Sequence, residues 1–255
     1  MTQHVFIAIP CYTGKIDMGT MASLIAELPL LSQAGINITF GDQRGNSMIA
    51  HGRDMLLAQF LNTECTDIVF IDDDVTWEAG ALTKLLSWPV EMVAGIYPTK
   101  TEPMNFFCRY LKGDLRSPEG LQGLLEVEAV PGGFVRATRT AVEQMVLKYP
   151  EKRFKDSNAP KGYAWALFDN IHEGDDYYGE DYSFCRRYRA IGGKVYVQPE
   201  IIMGHVGQKA WVGSFGAHLR DRKEGGVPQE TPELLVLEDA VLSLEGFVEK
   251  VKSVA

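Results

Sequence analysis

Three aspartates in a row, Asp72-Asp73-Asp74, directly follow the apolar run Ile68-Val69-Phe70-Ile71 and precede Val75-Thr76-Trp77. An apolar strand that ends in carboxylates presents them at the C-terminal edge of a sheet, where open α/β folds bind ligands. Carboxylates two apart there can face one hard divalent cation through oxygen, and Mg²⁺ held this way usually also takes phosphate oxygens from its substrate. A diphosphate is the first ligand this pattern points to. Capping of a helix near Glu78 would account for one of the acids, and three are present. A second acidic group, Gly179-Glu180-Asp181, opens the helical stretch Tyr182-Ser183-Phe184-Cys185-Arg186-Arg187. Capping explains it equally well; a carboxylate at that point can also act as a general base. A third feature is His205 in Met203-Gly204-His205-Val206-Gly207. Taken alone it reads as a histidine packed at a strand end, but its flanking glycines allow close backbone approach, and a neutral imidazole ligates Mn²⁺-like ions.

The elements that must position these groups alternate. His4–Ile9 reads as a strand ended by Pro10, and apolar residues recur at helical spacing from Met18 to Leu31, where Pro29 should end or kink the helix. Ile36–Phe40, Asp67–Ile71 and Val90–Ile96 read as further strands, with helices over 47–61 and 78–86 between them. Such alternation predicts an α/β fold with a parallel sheet, so the loops after Ile9, Phe40 and Ile71 share one edge. Beyond residue 100 the pattern changes. Asn105–Leu111 and Leu124–Val130 read as strands, Gly132-Gly133-Phe134-Val135 leads to a helix over 140–148, and 150–179 reads as a long aromatic active-site loop. A helix over 180–191, short strands at 194–197 and 201–203, a partly basic tail and a last amphipathic helix over 234–251 complete the chain.

Composition narrows the classes. The chain has 255 residues, 45% of them hydrophobic, and a formal charge of −9. That suits one large domain with a real core and gives no general attraction to nucleic acid or an anionic membrane. Four scattered cysteines form no C-x-x-C pair, which argues against a zinc knuckle or disulfide framework and fits a reducing cytoplasm. No apolar run approaches the ~18 residues of a membrane span, so a soluble cytoplasmic protein is expected.

The ordered set resembles glycosyltransferases of the GT-A fold, near the family-2-like group. It comprises D-x-D after the third strand, Gly132-Gly133-Phe134, Gly179-Glu180-Asp181 at a helix start and His205-Val206-Gly207 after the next strand. Pro10-Cys11-Tyr12, Gly52-Arg53-Asp54 and Gly95-Ile96-Tyr97 support it, and the resemblance covers about residues 4 to 210. It implies a GT-A type domain over 1–230: a Rossmann-like, mostly parallel central sheet flanked by helices, with a small antiparallel C-terminal part. Residues 1–100 would bind the nucleotide sugar, 101–210 would carry the acceptor side, and 231–255 would form a C-terminal helix.

The resemblance also implies roles. Asp72 would contact the donor's ribose or sugar side and stands with Asp74 and His205 among the ligands of a Mn²⁺ or Mg²⁺ ion; Asp73 is the variable middle residue. Pro10, Tyr12 and Thr13 would form the nucleotide loop, while Arg44 and Arg53 would contact base, ribose or phosphates. Gly132 and Gly133 would line the sugar and acceptor pocket. Asp181 would deprotonate the acceptor hydroxyl, with Glu180 beside it binding hydroxyls. The expected activity is metal-dependent transfer of a sugar from a nucleoside diphosphate sugar, UDP before GDP, to a glycan or small-molecule hydroxyl with inversion. A modified nucleic-acid base stays open as acceptor, because aromatic 150–179 and the basic stretch 208–223 could grip a polynucleotide. That basic stretch reads either as a lid over the diphosphate or as an ordinary surface loop. A different class is kept because Asp72-Asp73-Asp74-Val75-Thr76 also fits D-x-D-x-T of haloacid-dehalogenase-like phosphohydrolases, in which the first Asp attacks phosphorus. That motif normally follows its domain's first strand, whereas here two strand–helix units precede it.

Overall fold

The computed structural model describes residues 2–112 and 117–223, so the helix expected over 231–255 lies outside the described residues. Strands β1 (His4–Cys11), β2 (Asn37–Arg44) and β3 (Asp67–Ile71) are followed by β4 (Val75–Trp77), β5 (Met92–Ala94), β6 (Leu125–Val127) and β7 (Phe134–Thr138). Two short pairs follow, β8 (Arg153–Lys155) with β9 (Tyr163–Trp165) and β10 (Ile171–Glu173) with β11 (Asp176–Tyr178); then come β12 (Val195–Val197), β13 (Ile202–Val206) and β14 (Ala210–Ser214). The helices are α1 (Met18–Gln33), α2 (Ile49–Leu61), α3 (Ala81–Ser87), α4 (Arg139–Lys148), α5 (Glu180–Ala190) and α6 (Phe215–Lys223).

Seven strands form one sheet in the order β2-β1-β3-β7-β5-β12-β6. Strands β2, β1, β3, β5 and β12 run one way while β7 and β6 run against them, so the sheet is mixed and mostly parallel. Strands from before and after residue 100 share it. Its two faces are filled by alternation along each strand. Val5 and Ile7 of β1, with Val69 and Ile71 of β3, pack on Leu24 and Leu31 of α1 and Leu82 and Leu85 of α3. Phe6, Ala8, Ile68 and Phe70 face the other way, onto Leu56, Leu57 and Phe60 of α2, Val142 of α4 and Phe184 of α5. A small antiparallel sheet, β14-β13-β4, stands beside the end of β3.

Several elements depart from the sequence expectations. Pro29 lies inside α1, which runs on to Gln33; the missing N–H removes one bond, and Leu31 is still carried into the core. Val90–Ile96 pairs only over its middle three residues. Asn105–Leu111 is not a strand: it makes single bridges at Phe106 and Arg109. The 150–179 stretch is two small hairpins, and 208–223 supplies β14 and α6. Helix α3 lacks a capping side chain of its own. Glu27, buried on α1, instead accepts from the backbone N–H groups of Gly80 (2.8 Å) and Leu82 (3.0 Å) and from Thr83 Oγ1 (2.8 Å), which satisfies donors the short helix leaves open. All four cysteines are free thiols. Among the described residues no helix is long and apolar enough to cross a membrane.

Candidate functional site

Because β1, β2 and β3 are parallel, the loops that follow them meet at one edge of the sheet and floor a cleft of about 420 Å³. Pro10, Cys11, Tyr12 and Thr13 come from the first loop; Gln43, Asn46, Ser47 and Ile49 come from the end of β2 and the start of α2. Arg53, Asp72, Asp73, Asp74, Glu180 and His205 complete the wall. A larger cavity of about 600 Å³ opens at the other end of β1 and β2, between Leu28, Leu31 and Ile38, and has no carboxylate or permanent cation in its lining. Chemistry, not volume, distinguishes the first.

On one side of the cleft, β13 pairs with β4, so that His205 is opposite Val75 and next to the acidic turn. His205 Nε2 lies 3.4 Å from Asp74 Oδ1. Its Nδ1 sits 2.9 Å from the Pro98 carbonyl, and since a carbonyl can only accept, Nδ1 carries the proton. The lone pair of a neutral ring then points from Nε2 at a carboxylate oxygen. Two electron-pair donors so placed are held together by a proton or by a metal ion, and a backbone partner on the far nitrogen is the habitual arrangement of a metal-ligating histidine. Asp74 Oδ2 pairs with Lys100 Nζ. Burial alone would raise the proton affinity of Asp74; with a proton bridging the pair, the bonds from His205 and Lys100 outweigh it and hold the carboxyl below its ordinary range.

On the other side Arg53, on α2 and 3% exposed, is the hub. It donates to Glu180 Oε1 at 2.6 Å and to Asp72 Oδ1 at 2.8 Å, while its Nε has no partner. Burial opposes the charge, and Asp72 and Glu180 more than compensate, so the guanidinium stays protonated. Tyr97 donates its hydroxyl to Asp72 Oδ2 (3.4 Å) and accepts the Gly133 N–H (3.2 Å). Backbone approach this close requires glycine. A Cβ on Gly132 would fall 2.8 Å from Arg53 Cζ, and one on Gly133 would meet the Asp72 carboxylate and stand 2.6 Å from the Tyr97 oxygen. Asp181, at the start of α5, accepts from the N–H of Tyr182 (2.7 Å) and of Gly132 (3.3 Å). Burial pushes its pKa up to about 6 against the opposing pull of Arg53. Burial likewise raises Asp73, whose neighbour is the Cys11 thiol.

The fold therefore gathers Pro10, Tyr12, Thr13, Arg53, Asp72, Asp73, Asp74, Glu180 and His205 at one cleft, while Asp181, next to Glu180 at the start of α5, is not part of the lining. It does not gather all of them as a metal set: Asp72 turns to Arg53 and Tyr97, leaving Asp74 and His205 as the facing pair. Among the described residues no three His, Cys, Asp or Glu side chains converge as a metal cage. Arg44 is exposed outside the cleft lining and pairs with Asp42. Gly132 and Gly133 are buried and make room for Arg53 and Asp72. None of the described residues of the basic stretch is in the cleft lining; Lys209 pairs with Glu102 and Arg220 with Glu200. Sequence reasoning passed over Lys100, the Tyr97 hydroxyl and Asn46. The last is fixed by His51, whose Nδ1 lies 2.6 Å from the Asn46 amide and whose Nε2 lies 3.0 Å from Asp156, tying the cleft rim to the 150–179 segment.

No protein-family model matches the chain, and no curated protein matches it. Among solved structures the chain is similar to the crystal structure of A197 from STIV, at 17% identity over 84% of this chain and 91% of that one, with a TM-score of 0.49. A similarity of that size says nothing about activity.

Proposed function

We propose that the protein is a metal-dependent glycosyltransferase of GT-A type, moving a sugar from a nucleoside diphosphate sugar, UDP before GDP, to an acceptor hydroxyl with inversion. One observation carries the reading: Asp74 and His205, from two different sheets' strand ends, face each other with the imidazole proton committed to Pro98. Two protein ligands and open remaining positions are what Mn²⁺ or Mg²⁺ takes when substrate phosphates supply the rest. When bound, the ion would supply charge neutralisation for the leaving diphosphate.

The chain's own residues account for the other requirements. The loops after β1 and β2, with the last residues of β2, offer Tyr12, Thr13, Gln43 and Asn46 to a nucleoside. Arg53 and Tyr97 hold Asp72 in one orientation, so it can accept from a donor hydroxyl at a fixed place. Asp181, with a pKa near 6, is ionised at neutral pH yet basic enough to take the acceptor's proton as its oxygen attacks the anomeric carbon. The phosphohydrolase alternative would need Asp72 as the nucleophile of a loop that follows its domain's first strand, whereas two strand–helix units precede it here.

The test is thermal unfolding with UDP and GDP, with and without Mn²⁺, followed by release of diphosphate from a panel of donors. Ligand at a hundredfold excess over Kd should stabilise the protein by about 2.7 kcal/mol, only with the ion, and Asp74→Ala should abolish the shift. Asp181→Asn should keep the shift and lower transfer by about 10²- to 10⁴-fold. No nucleotide-dependent shift under any condition would sink the reading, and a shift without turnover on any donor would leave a binding protein instead of an enzyme.

A further inference from the structure

Among the described residues, Lys100 is a cation beside Asp74 to which the proposed reaction assigns no task. It lies in the loop after β5, and its Nζ pairs with Asp74 Oδ2 while His205 takes the side of Oδ1. Its placement is built. The preceding residues are pinned by the Thr99 N–H to Asn105 carbonyl bond at 2.7 Å and by the Pro98–Phe106 bridge. The lysine stem lies over Gly207, where a Cβ would come within 3.1 Å of Lys100 Cδ and equally near the Trp211 ring. The same loop also supplies the Pro98 carbonyl that orients His205. One short segment thus sets both the imidazole and a movable positive charge against the same carboxylate.

An ammonium and a divalent ion cannot both stay at full strength on one carboxylate, because they repel each other across it. The Lys100 side chain is 32% exposed on a flexible four-carbon stem, so its head can leave Asp74 without unpacking the core. The anion that would arrive together with a divalent ion in this cleft is the diphosphate. We propose that Lys100 is a phosphate contact held in reserve: it neutralises Asp74 in the ion-free protein and transfers to the substrate's diphosphate when a divalent ion takes Asp74. This rests on the reading of the cleft as a nucleoside diphosphate site. Lysine suits the task because it binds phosphate as a point charge and tolerates a change of partner.

Calorimetric titrations of the full chain with Mn²⁺ alone, and with UDP at saturating Mn²⁺, test the exchange in the parent, Lys100→Met and Lys100→Arg. With the competing charge gone, Lys100→Met should bind Mn²⁺ alone about tenfold more tightly, and with the phosphate contact gone it should bind UDP at saturating Mn²⁺ about tenfold more weakly. Lys100→Arg should retain the UDP affinity. If Lys100→Met leaves both affinities unchanged, or weakens Mn²⁺, while the parent still binds UDP with Mn²⁺, the exchange is wrong and the functional reading stands. If the parent binds neither Mn²⁺ nor UDP, the functional reading fails and the exchange falls with it.

Discussion

The two ends of β3 each carry an aspartate bound to a buried arginine, and they are built in opposite ways. At the start, Asp67 receives Arg136 Nε at 2.7 Å, Thr66 Oγ1 at 2.7 Å and Gln3 Nε2 at 3.1 Å, and Arg136 uses another nitrogen on the carbonyls of Trp88 (2.9 Å) and Val90 (2.7 Å). One charge meets one charge, and the donors around them have acceptors. At the finish, Arg53 stands among Asp72, Glu180 and Asp181 with an unpartnered Nε, and Asp73 and Asp74 lie beside them with Lys100 as the further cation. A balanced, satisfied pair holds a strand in place. An excess of carboxylates, two of them with raised proton affinity, costs stability and fits a place where cationic or hydroxyl-bearing ligands are received.

Removing each arginine would break this contrast if it is wrong. Arg136→Met strands Asp67, which is 3% exposed, and should lower unfolding free energy by about 3–5 kcal/mol. Arg53→Met leaves Asp72 and Glu180, whose side chains are 23% and 22% exposed, able to reach water, so its loss should be smaller, about 1–2 kcal/mol. Urea midpoints at constant slope measure both. Equal losses would make the Arg53 cluster a structural ion pair like the other.

The next effect is on the pH dependence of stability. Asp181 binds its proton more tightly in the folded chain, about 6 against an ordinary value of 3.8. Between these values the folded state holds more proton than the unfolded one, so stability falls as pH rises through that window and then levels. Asp181→Asn removes the penalty. The variant should be more stable than the parent by about 2–3 kcal/mol at pH 8 and equal to it near pH 3, read as paired urea midpoints at the two pH values. No gain at pH 8 would mean that the carboxylate is well solvated and not tuned as a base. Substituting Asp67 should instead destabilise at neutral pH, because Arg136 would lose its charged partner.

How far the sequence reveals these features depends on how many residues state each one. Strand β3 is legible because all five of its residues are buried and apolar apart from Asp67, and the observed Asp67–Ile71 equals the expected span. The carboxylates after it and at the start of α5 are legible because strand and helix termini are marked in sequence. Asn105–Leu111 misleads because its aromatic alternation reflects single contacts, such as Phe106 against Phe215 of α6, which no local pattern encodes. Aromatic 150–179 looks like one loop since hairpins of three-residue strands are shorter than the period needed to see them. Gly132-Gly133 is visible as a motif, but its reason, the space beneath Arg53 and Asp72, is a tertiary one. Lys100 and the Pro98 carbonyl carry no signature, because their place follows from the path of the loop after β5.

The smallest expected effect concerns a third arginine–aspartate pair, Arg44 with Asp42 at the end of β2. The sequence makes Arg44 as good a candidate for phosphate or base contact as Arg53, since both come from the elements around the first two loops. Their surroundings differ: the Arg44 side chain is 73% exposed and that of Arg53 is 3% exposed. In water an ion pair gains little, because solvent screens the attraction and two long side chains lose freedom to keep it. Asp42 holds the Arg44 guanidinium more firmly protonated, as its partner and by charge, yet that changes nothing at pH values where arginine is always charged. Arg44→Ala should therefore leave the urea midpoint and the Mn²⁺-dependent UDP shift indistinguishable from the parent at moderate salt. A clear loss of the nucleotide shift alone would place Arg44 over the cleft mouth when ligand is bound, and the boundary of the site would then have to include the end of the edge strand β2.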